Sequence, residues 1–241
     1  MTSAMLVKQA VLLPGTGSDE VFVRSVFAGP LRALGVRVHT PAPPRGTDLV
    51  RGYLAELDSF AADAPGTVLV GGISLGAHLA AKWAVRNPDR CAGVLAALPA
   101  WIGPARHAPA AVAAGISADL VEREGLEAAL AISTAEVEPW LAAELRRAWR
   151  RQGDGLIAGL RAAAAHPGPS SSDLAGLTVP VGIAACVDDP VHPAAVAWEW
   201  AAALPRATVR ETTLAALGAE RESLGRAVTA AWTDTLRHAR R

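Results

Sequence analysis

The sequence is short of lysine, and its charges cancel. Lys8 and Lys82 are its only lysines, and the formal net charge of the 241 residues is zero because 23 basic side chains match 23 acidic ones. Proteins that bind nucleic acid or an anionic membrane depend on a basic excess. We therefore expect neither a nucleic-acid partner nor a membrane partner. The preference for Arg over Lys, together with abundant Ala, is typical of a GC-rich bacterial genome.

Cysteine and long apolar runs are also scarce. Cys91 and Cys186 lie in or beside predicted buried strands, where a thiol belongs to the core more often than to a disulfide. No segment has the apolar length of a membrane span or of an N-terminal signal peptide, so we expect a cytoplasmic location. No cluster of His, Cys and carboxylate residues has the spacing of metal ligands, so neither a metal nor an organic cofactor is predicted.

Short apolar runs alternate with helical stretches along most of the chain, and 51% of the residues are hydrophobic, enough for one sizeable core. Strands are predicted at 10–14, 36–40, 67–70, 92–98, 179–187 and 207–213. Helices are predicted from about 20 to 34, at about 49–62, from the end of the third strand to just before Pro88, and at about 193–204 and 220–237. This alternation predicts an α/β fold, with about six mainly parallel strands covered by helices on both faces.

Residues 103–176 interrupt the alternation. They contain no convincing strand and three helical pieces, predicted at 118–132, 137–151 and 156–165, followed by a flexible return at 167–172. Trp140, Leu141, Leu145 and Trp149 are spaced to form one apolar stripe on the second piece. The stripe either packs on the body of the protein or faces a pocket.

The segment Gly72-Ile73-Ser74-Leu75-Gly76 joins the third predicted strand to a helix. Glycines two residues before and after the serine allow a sharp reversal with close backbone packing. The turn would lift the Ser74 hydroxyl clear of the sheet, at a helix N-terminus that favours an anion. The alternative is a structural serine in a tight turn.

In this strand–turn–helix setting, the motif resembles the nucleophile elbow of the α/β-hydrolases, and the similarity covers nearly the full chain. The resemblance implies a core of residues 1–102 and 177–241. Residues 103–176 would form a helical cap, inserted after the strand that follows the elbow. Such a cap roofs the pocket of a small-molecule substrate, so Trp101, Trp140 and Trp149 are candidate pocket walls, with ordinary core packing as the alternative for each.

The resemblance also implies an oxyanion hole of two backbone amides. One is the amide of Leu75, and the other comes from the loop Pro14-Gly15-Thr16-Gly17, with Thr16 the first candidate donor and Gly17 the next. The competing interpretation of this loop is a phosphate site. The loop lacks the Gly-Lys-Ser/Thr of a P-loop and the spacing of G-x-G-x-x-G, and the next strand ends without an acidic residue for a ribose.

The acid of a catalytic triad is expected after the fifth strand, where the chain reads Asp188-Asp189-Pro190-Val191-His192. The family often carries its acid in a similar Asp-Pro-hydrophobic stretch, which matches Asp189 better than Asp188. The alternative role is an Asx-turn or helix N-cap, since Asp before Pro commonly begins a turn.

The base departs from the family pattern. The family's histidine normally follows the last strand, but residues 214–222 contain none. His192 is the only histidine in a catalytic loop, so either it serves as the base, oriented by Asp189 or Asp188, or the chain has no base and His192 lines the pocket or caps a helix. His78, one turn beyond Ser74, is more consistent with a structural role. The complete set is His39, His78, His107, His166, His192 and His238.

Together these features predict a serine hydrolase that resembles a carboxylesterase and cleaves an ester, thioester or related acyl bond of a small apolar substrate. Ser74 would attack, His192 would relay the proton and Asp189 would orient it. The missing histidine keeps two alternatives open: a non-hydrolytic enzyme of the same fold, such as a lyase, isomerase or cyclase, and a non-catalytic small-molecule-binding protein.

Overall fold

The computed structural model describes residues 7–238, and a single sheet of six strands lies at its centre. The order across the sheet is β2-β1-β3-β4-β5-β6, and every neighbouring pair is parallel. The predicted strands are confirmed to within a few residues. Their bounds are β1 (Gln9–Leu13), β2 (Arg37–His39), β3 (Val68–Ile73), β4 (Cys91–Ala97), β5 (Val181–Cys186) and β6 (Ala207–Thr212).

Helices connect the strands and cover both faces of the sheet. Those outside the predicted cap are α1 (Glu20–Ala33), α2 (Leu49–Asp63), α3 (Leu75–Arg86), and, after β5, α9 (Ala194–Ala203), α10 (Leu214–Ala219) and α11 (Glu222–His238). The intervening helices are α4 (Pro109–Glu124), α5 (Leu126–Ser133), α6 (Pro139–Gln152), α7 (Leu156–Ala165) and α8 (Ser171–Gly176).

Successive side chains of each strand point to opposite faces of the sheet, so the apolar residues form two cores. In β1, Val11 and Leu13 pack with α2, α3 and α9, whereas Ala10 and Leu12 pack with α1 and α11 on the opposite face. The strands β3 and β5 are buried at every residue, as expected for a parallel sheet covered on both sides. The α/β architecture with two helical layers is therefore confirmed. Cys91 and Cys186 are buried and unpaired.

The helices of the predicted cap have a small core of their own, which includes Ala118, Leu130, Trp149, Leu156 and Leu160. They follow β4, the strand after the elbow. Residues 1–6 and 239–241, which the prediction assigned to the main core, lie outside the described residues. Within the described part of the chain, no helix has the length and apolarity needed to cross a membrane.

Two predictions for residues 103–176 were wrong, and one helix after β6 was missed. The piece predicted at 118–132 is two helices, α4 and α5, because Gly125 adopts φ +79° between them. The predicted flexible return at 167–172 instead leads into α8, where Ser170 and Asp173 form a reciprocal capping box. Leu174 of α8 packs in the core that α2, α3 and α9 form on one face of the sheet, and not in the core of the predicted cap. Helix α10, in the segment after β6, was not predicted.

Candidate active site

Ser74 stands alone between the end of β3 and the first residue of α3. Its backbone has φ 54° and ψ −114°, a left-handed conformation that is rare for a residue with a side chain. The Ser74 amide donates to the Ala97 carbonyl at 2.9 Å, and its carbonyl accepts from the His78 amide at 3.1 Å. The neighbouring strand and the first turn of α3 therefore hold a strained residue in place.

The glycines around Ser74 are required by close backbone packing. A Cβ atom at Gly72 or Gly76 would collide with the carbonyl oxygen of Leu13 at the end of β1. The loop after β1 passes equally close, because a Cβ atom at Gly15 would lie 3.5 Å from the Cβ of Ser74. The two loops predicted to supply an oxyanion hole are therefore in contact.

The Thr16 amide lies in a turn, and the Leu75 amide lies at the start of α3. Residues Gly15 to Ser18 form a turn, closed by the Ser18 amide donating to the Gly15 carbonyl at 3.2 Å, with Gly17 at φ +67° in its third position. Leu75 is the first residue of α3, where amides have no partner within the helix. Among the described residues, neither the Thr16 nor the Leu75 amide donates a hydrogen bond.

Asp189 is a buried carboxylate that orients its own loop. Its Oδ1 accepts from the Val191 amide at 2.8 Å and the His192 amide at 3.0 Å, and its Oδ2 lies 2.9 Å from Nδ1 of His192. Burial by itself would raise the pKa of Asp189, but the hydrogen bonds and the His192 charge hold this pKa below its usual value. Asp189 is therefore ionised at neutral pH, as an orienting acid must be.

The contact with Asp189 leaves Nε2 as the free nitrogen of His192. The His192 side chain is 17% exposed and lines the same cavity as Ser74. Within the described residues, Nε2 makes no hydrogen bond, and none joins His192 to the Ser74 hydroxyl. Of the histidines that the structure describes, His192 alone lines this cavity.

Asp188 has a different partner. Its carboxylate accepts from the Leu214 amide at 2.6 Å, and so it caps the segment that begins α10. This helix occupies the region after β6 where the family resemblance placed a histidine. Two of its side chains, Leu214 and Leu217, line the cavity. The position expected for the base is therefore apolar.

His78 is enclosed in the core behind the elbow. Its Nε2 accepts from the Ala100 amide at 3.0 Å, and its ring contacts the rings of Trp101 and Trp200 at centroid distances of 4.6 and 5.4 Å. Burial, together with nearby positive charge, lowers the pKa of His78 to about 3. A neutral, enclosed imidazole that supports the chain after β4 agrees with the structural role considered for it.

The cavity between the sheet and the helices of the predicted cap has a volume of about 560 Å³, within the range of small-molecule sites. Trp101, Trp140 and Trp149 all contribute to its largely apolar wall. Among residues 7–238, its lining contains no Lys or Arg, and the carboxylates in it are those of Glu138, Glu144 and Asp189. In the described residues, no group of three or more His, Cys, Asp and Glu side chains is arranged to hold a metal ion.

Sequence reasoning missed the contact between the cap and the loop that follows β1. Arg147 of α6 forms two hydrogen bonds with Asp19, the N-cap of α1. Asp19 carried a local signal, because an aspartate directly before a helix is a preferred N-cap. Arg147 carried none, since its partner is 128 residues away.

Comparisons with solved structures identify the fold. The chain is similar to an esterase from Thermogutta terrifontis, with 17% identity over 86% of this chain and 81% of that one and a TM-score of 0.63. An enol-lactonase from Burkholderia xenovorans LB400 is 21% identical over 86% and 82% of the two chains, with a TM-score of 0.62. A carboxylesterase from Nitrososphaera gargenis is 14% identical over 87% and 82%, with a TM-score of 0.70. No protein-family model and no curated protein sequence matches the chain.

Proposed function

Because the chain has the α/β-hydrolase fold, we propose that it is a serine hydrolase that cleaves an ester, thioester or related acyl bond. The observation that carries the proposal is the convergence of four groups on one cavity. Ser74, Thr16 and the Asp189–His192 pair all line it, and Leu75 follows Ser74 directly. Fold similarity alone would leave the chemistry open, since one fold hosts many reactions.

The proposed reaction begins with attack of the Ser74 hydroxyl oxygen on the acyl carbon. Nε2 of His192 takes the hydroxyl proton, and the Nδ1–H group remains hydrogen-bonded to Asp189. The carbonyl oxygen becomes an oxyanion, which accepts from the Thr16 and Leu75 amides. His192 then gives the proton to the departing alcohol or thiol. Water repeats the sequence on the acyl-enzyme, releasing the carboxylic acid and restoring Ser74.

The substrate is proposed to be small, largely apolar and uncharged. The described part of the chain gives the cavity wall tryptophan, leucine and alanine side chains and no Lys or Arg to pair with an anion. Burying an unpaired charge against such a wall is costly. The esterases and the enol-lactonase among the similar structures act on acyl bonds according to their names, which supports the reaction class.

Hydrolysis of p-nitrophenyl butyrate by the wild type, Ser74→Ala and Ser59→Ala tests the proposal. Ser59 is an exposed serine of α2, so its substitution controls for loss of a hydroxyl outside the cavity. Loss of the nucleophile should lower kcat by about 10³-fold or more, whereas Ser59→Ala should keep wild-type turnover. Equal turnover by the wild type and Ser74→Ala would exclude serine catalysis.

A second candidate is a non-hydrolytic enzyme of this fold or a small-molecule-binding protein. The specific observation in its favour is that no hydrogen bond joins the Ser74 hydroxyl to His192 among the described residues. The hydrolase proposal requires that contact to form when substrate is bound, as catalytic hydrogen bonds often do. Product formation that survives Ser74→Ala would favour a lyase, isomerase or cyclase, and ligand binding without any turnover would favour a binding protein.

A further inference from the structure

We propose that Arg147 of the cap is a positioning residue for the oxyanion hole, holding the loop that carries the Thr16 amide through Asp19. This inference rests on the function proposed above. It assigns the cap a part in transition-state geometry in addition to covering the cavity.

The contact between Arg147 and Asp19 is bidentate and largely buried. Nε of Arg147 donates to Oδ2 of Asp19 at 2.8 Å, and Nη2 donates to Oδ1 at 2.7 Å. Asp19 is 1% exposed, and its Oδ1 also accepts from the Val21 and Phe22 amides at 3.1 Å. One carboxylate therefore joins the cap helix α6 to the first turn of α1. A planar guanidinium suits this two-oxygen geometry better than an ammonium group.

Other side chains of α6 contact the residues on either side of Asp19. Nε2 of Gln152 donates to the Ser18 carbonyl at 3.4 Å, and Arg151 pairs with Glu20. Trp149 packs against Gly17, where a Cβ atom would lie 3.0 Å from the indole nitrogen. The helix thus contacts four consecutive residues, Gly17 to Glu20, immediately after Thr16.

The charge of Asp19 makes this arrangement depend on Arg147. Burial alone would raise the pKa of Asp19, but Arg147, the Phe22 amide and Arg151 hold it below its usual value. Without Arg147, an enclosed carboxylate would lose its main partner and turn toward water. The turn at Gly15–Ser18 directly precedes Asp19 and contains a glycine at φ +67°, so it would then relax, and the Thr16 amide would move relative to Ser74.

A displaced oxyanion donor has a distinct kinetic signature. The oxyanion exists in the transition state and not in the bound substrate. Loss of a hydrogen bond to it therefore lowers kcat and leaves KM nearly unchanged. A cap that simply detached from the body of the protein would instead weaken substrate binding and raise KM. The ratio of the two effects separates positioning from simple attachment of the cap.

Arg150 provides a matched control on the same helix. It also donates two hydrogen bonds to one carboxylate, at 2.8 and 2.6 Å, but its partner is Glu127 on α5 of the cap. Neither residue lines the cavity, and among the described residues neither forms a hydrogen bond or ion pair with residues 15–20. Arg150→Met therefore removes an ion pair of the same two-bond geometry from α6, at a more exposed position, without releasing Asp19.

The kinetic experiment compares Arg147→Met, Arg147→Lys and Arg150→Met with p-nitrophenyl butyrate. Displacement by about 1 Å typically costs about 10²-fold, so Arg147→Met should lower kcat by about 10-fold to 100-fold with KM within about threefold. Arg147→Lys, which keeps the charge, should recover part of the loss, and Arg150→Met should match the wild type. A wild-type kcat in Arg147→Met, or a change in KM alone, would overturn the proposal.

Amide hydrogen exchange over residues 15–22 gives a readout that needs no turnover. The Ser18, Val21 and Phe22 amides are hydrogen-bonded in this segment, and they should exchange faster in Arg147→Met than in Arg150→Met. Unchanged exchange would overturn the positioning role even if esterase activity is present. Absence of turnover in the wild type would instead contradict the proposed function, so the two failures are distinguishable.

Discussion

Nδ1 of His192 lies 2.9 Å from Oδ2 of Asp189, and the two residues are three positions apart in the loop after β5. The α/β-hydrolases that the chain resembles normally take their histidine from a later loop, after the last strand. Here one loop holds both members of the pair, and Asp189 also fixes the backbone of that loop through two amides. The alignment of the proposed acid and base therefore does not depend on a histidine from the segment after β6, which forms the apolar helix α10.

The two adjacent aspartates should respond differently to the same substitution. Asp189→Asn replaces the acceptor for Nδ1–H with an amide that favours the other imidazole tautomer, in which Nε2 cannot take the Ser74 proton. We expect kcat/KM for p-nitrophenyl butyrate to fall by about 10³-fold or more. Asp188→Asn only weakens the cap on Leu214, so kcat/KM should stay within about threefold and stability should fall by about 1 kcal/mol. The reverse order of effects would assign the acid to Asp188.

The charge of the cavity predicts selectivity against anions. Mono-p-nitrophenyl succinate has a carboxylate where p-nitrophenyl butyrate has a methyl group, and the described lining residues include no Lys or Arg to pair with it. An unpaired charge costs several kcal/mol to bury, so we expect kcat/KM for the succinate to be lower by about 10²-fold or more. Glu138→Lys, at the exposed edge of the cavity, should reduce this preference. Equal rates for the two esters would contradict an uncharged-substrate site.

Burial of His78 predicts a stability that declines in weak acid. Its pKa is about 3 in the folded chain and about 6.5 in the unfolded one, so below pH 6.5 only the unfolded state takes up the proton. The free energy of unfolding should therefore fall as pH falls from about 6.5 toward 3, with a contribution from this group of about 1.4 kcal/mol per pH unit. Between pH 7 and pH 5, the free energy of unfolding measured in urea should therefore fall by about 2 kcal/mol less in His78→Gln than in the wild type. Parallel slopes would mean that the native ring is protonated or solvated.

Local patterns were sufficient to predict the sheet and the turn at Ser74. Buried strands of a parallel sheet are short, apolar and bounded by turns, and the elbow is defined by glycines within two residues of the serine. The spacing of Asp189 and His192 was also local, so their pairing was within reach of the sequence. The break at Gly125 was missed because a single glycine inside an apolar helical pattern does not by itself end a helix.

Contacts between distant segments could not be predicted in the same way. Arg147 and Asp19 meet only because the cap folds over the loop after β1, and the chain has many arginines with no local feature to select this one. The same limit applied to Asp188, whose partner Leu214 lies 26 residues further along. That residues 214–219 form a helix with two leucines in the cavity wall could not be predicted either. The absence of a histidine gives no information about what replaces it.

Covalent labelling by a fluorophosphonate probe tests the central claim, that His192 activates Ser74, most directly. Peptide mapping should locate the probe on Ser74 in the wild type and find none in Ser74→Ala. The labelling rate constant should fall by about 10³-fold or more in His192→Ala, because the serine hydroxyl is a weak nucleophile without its base. His78→Gln should label at the wild-type rate. Labelling of His192→Ala at the wild-type rate, or failure of the folded wild type to label, would contradict the account.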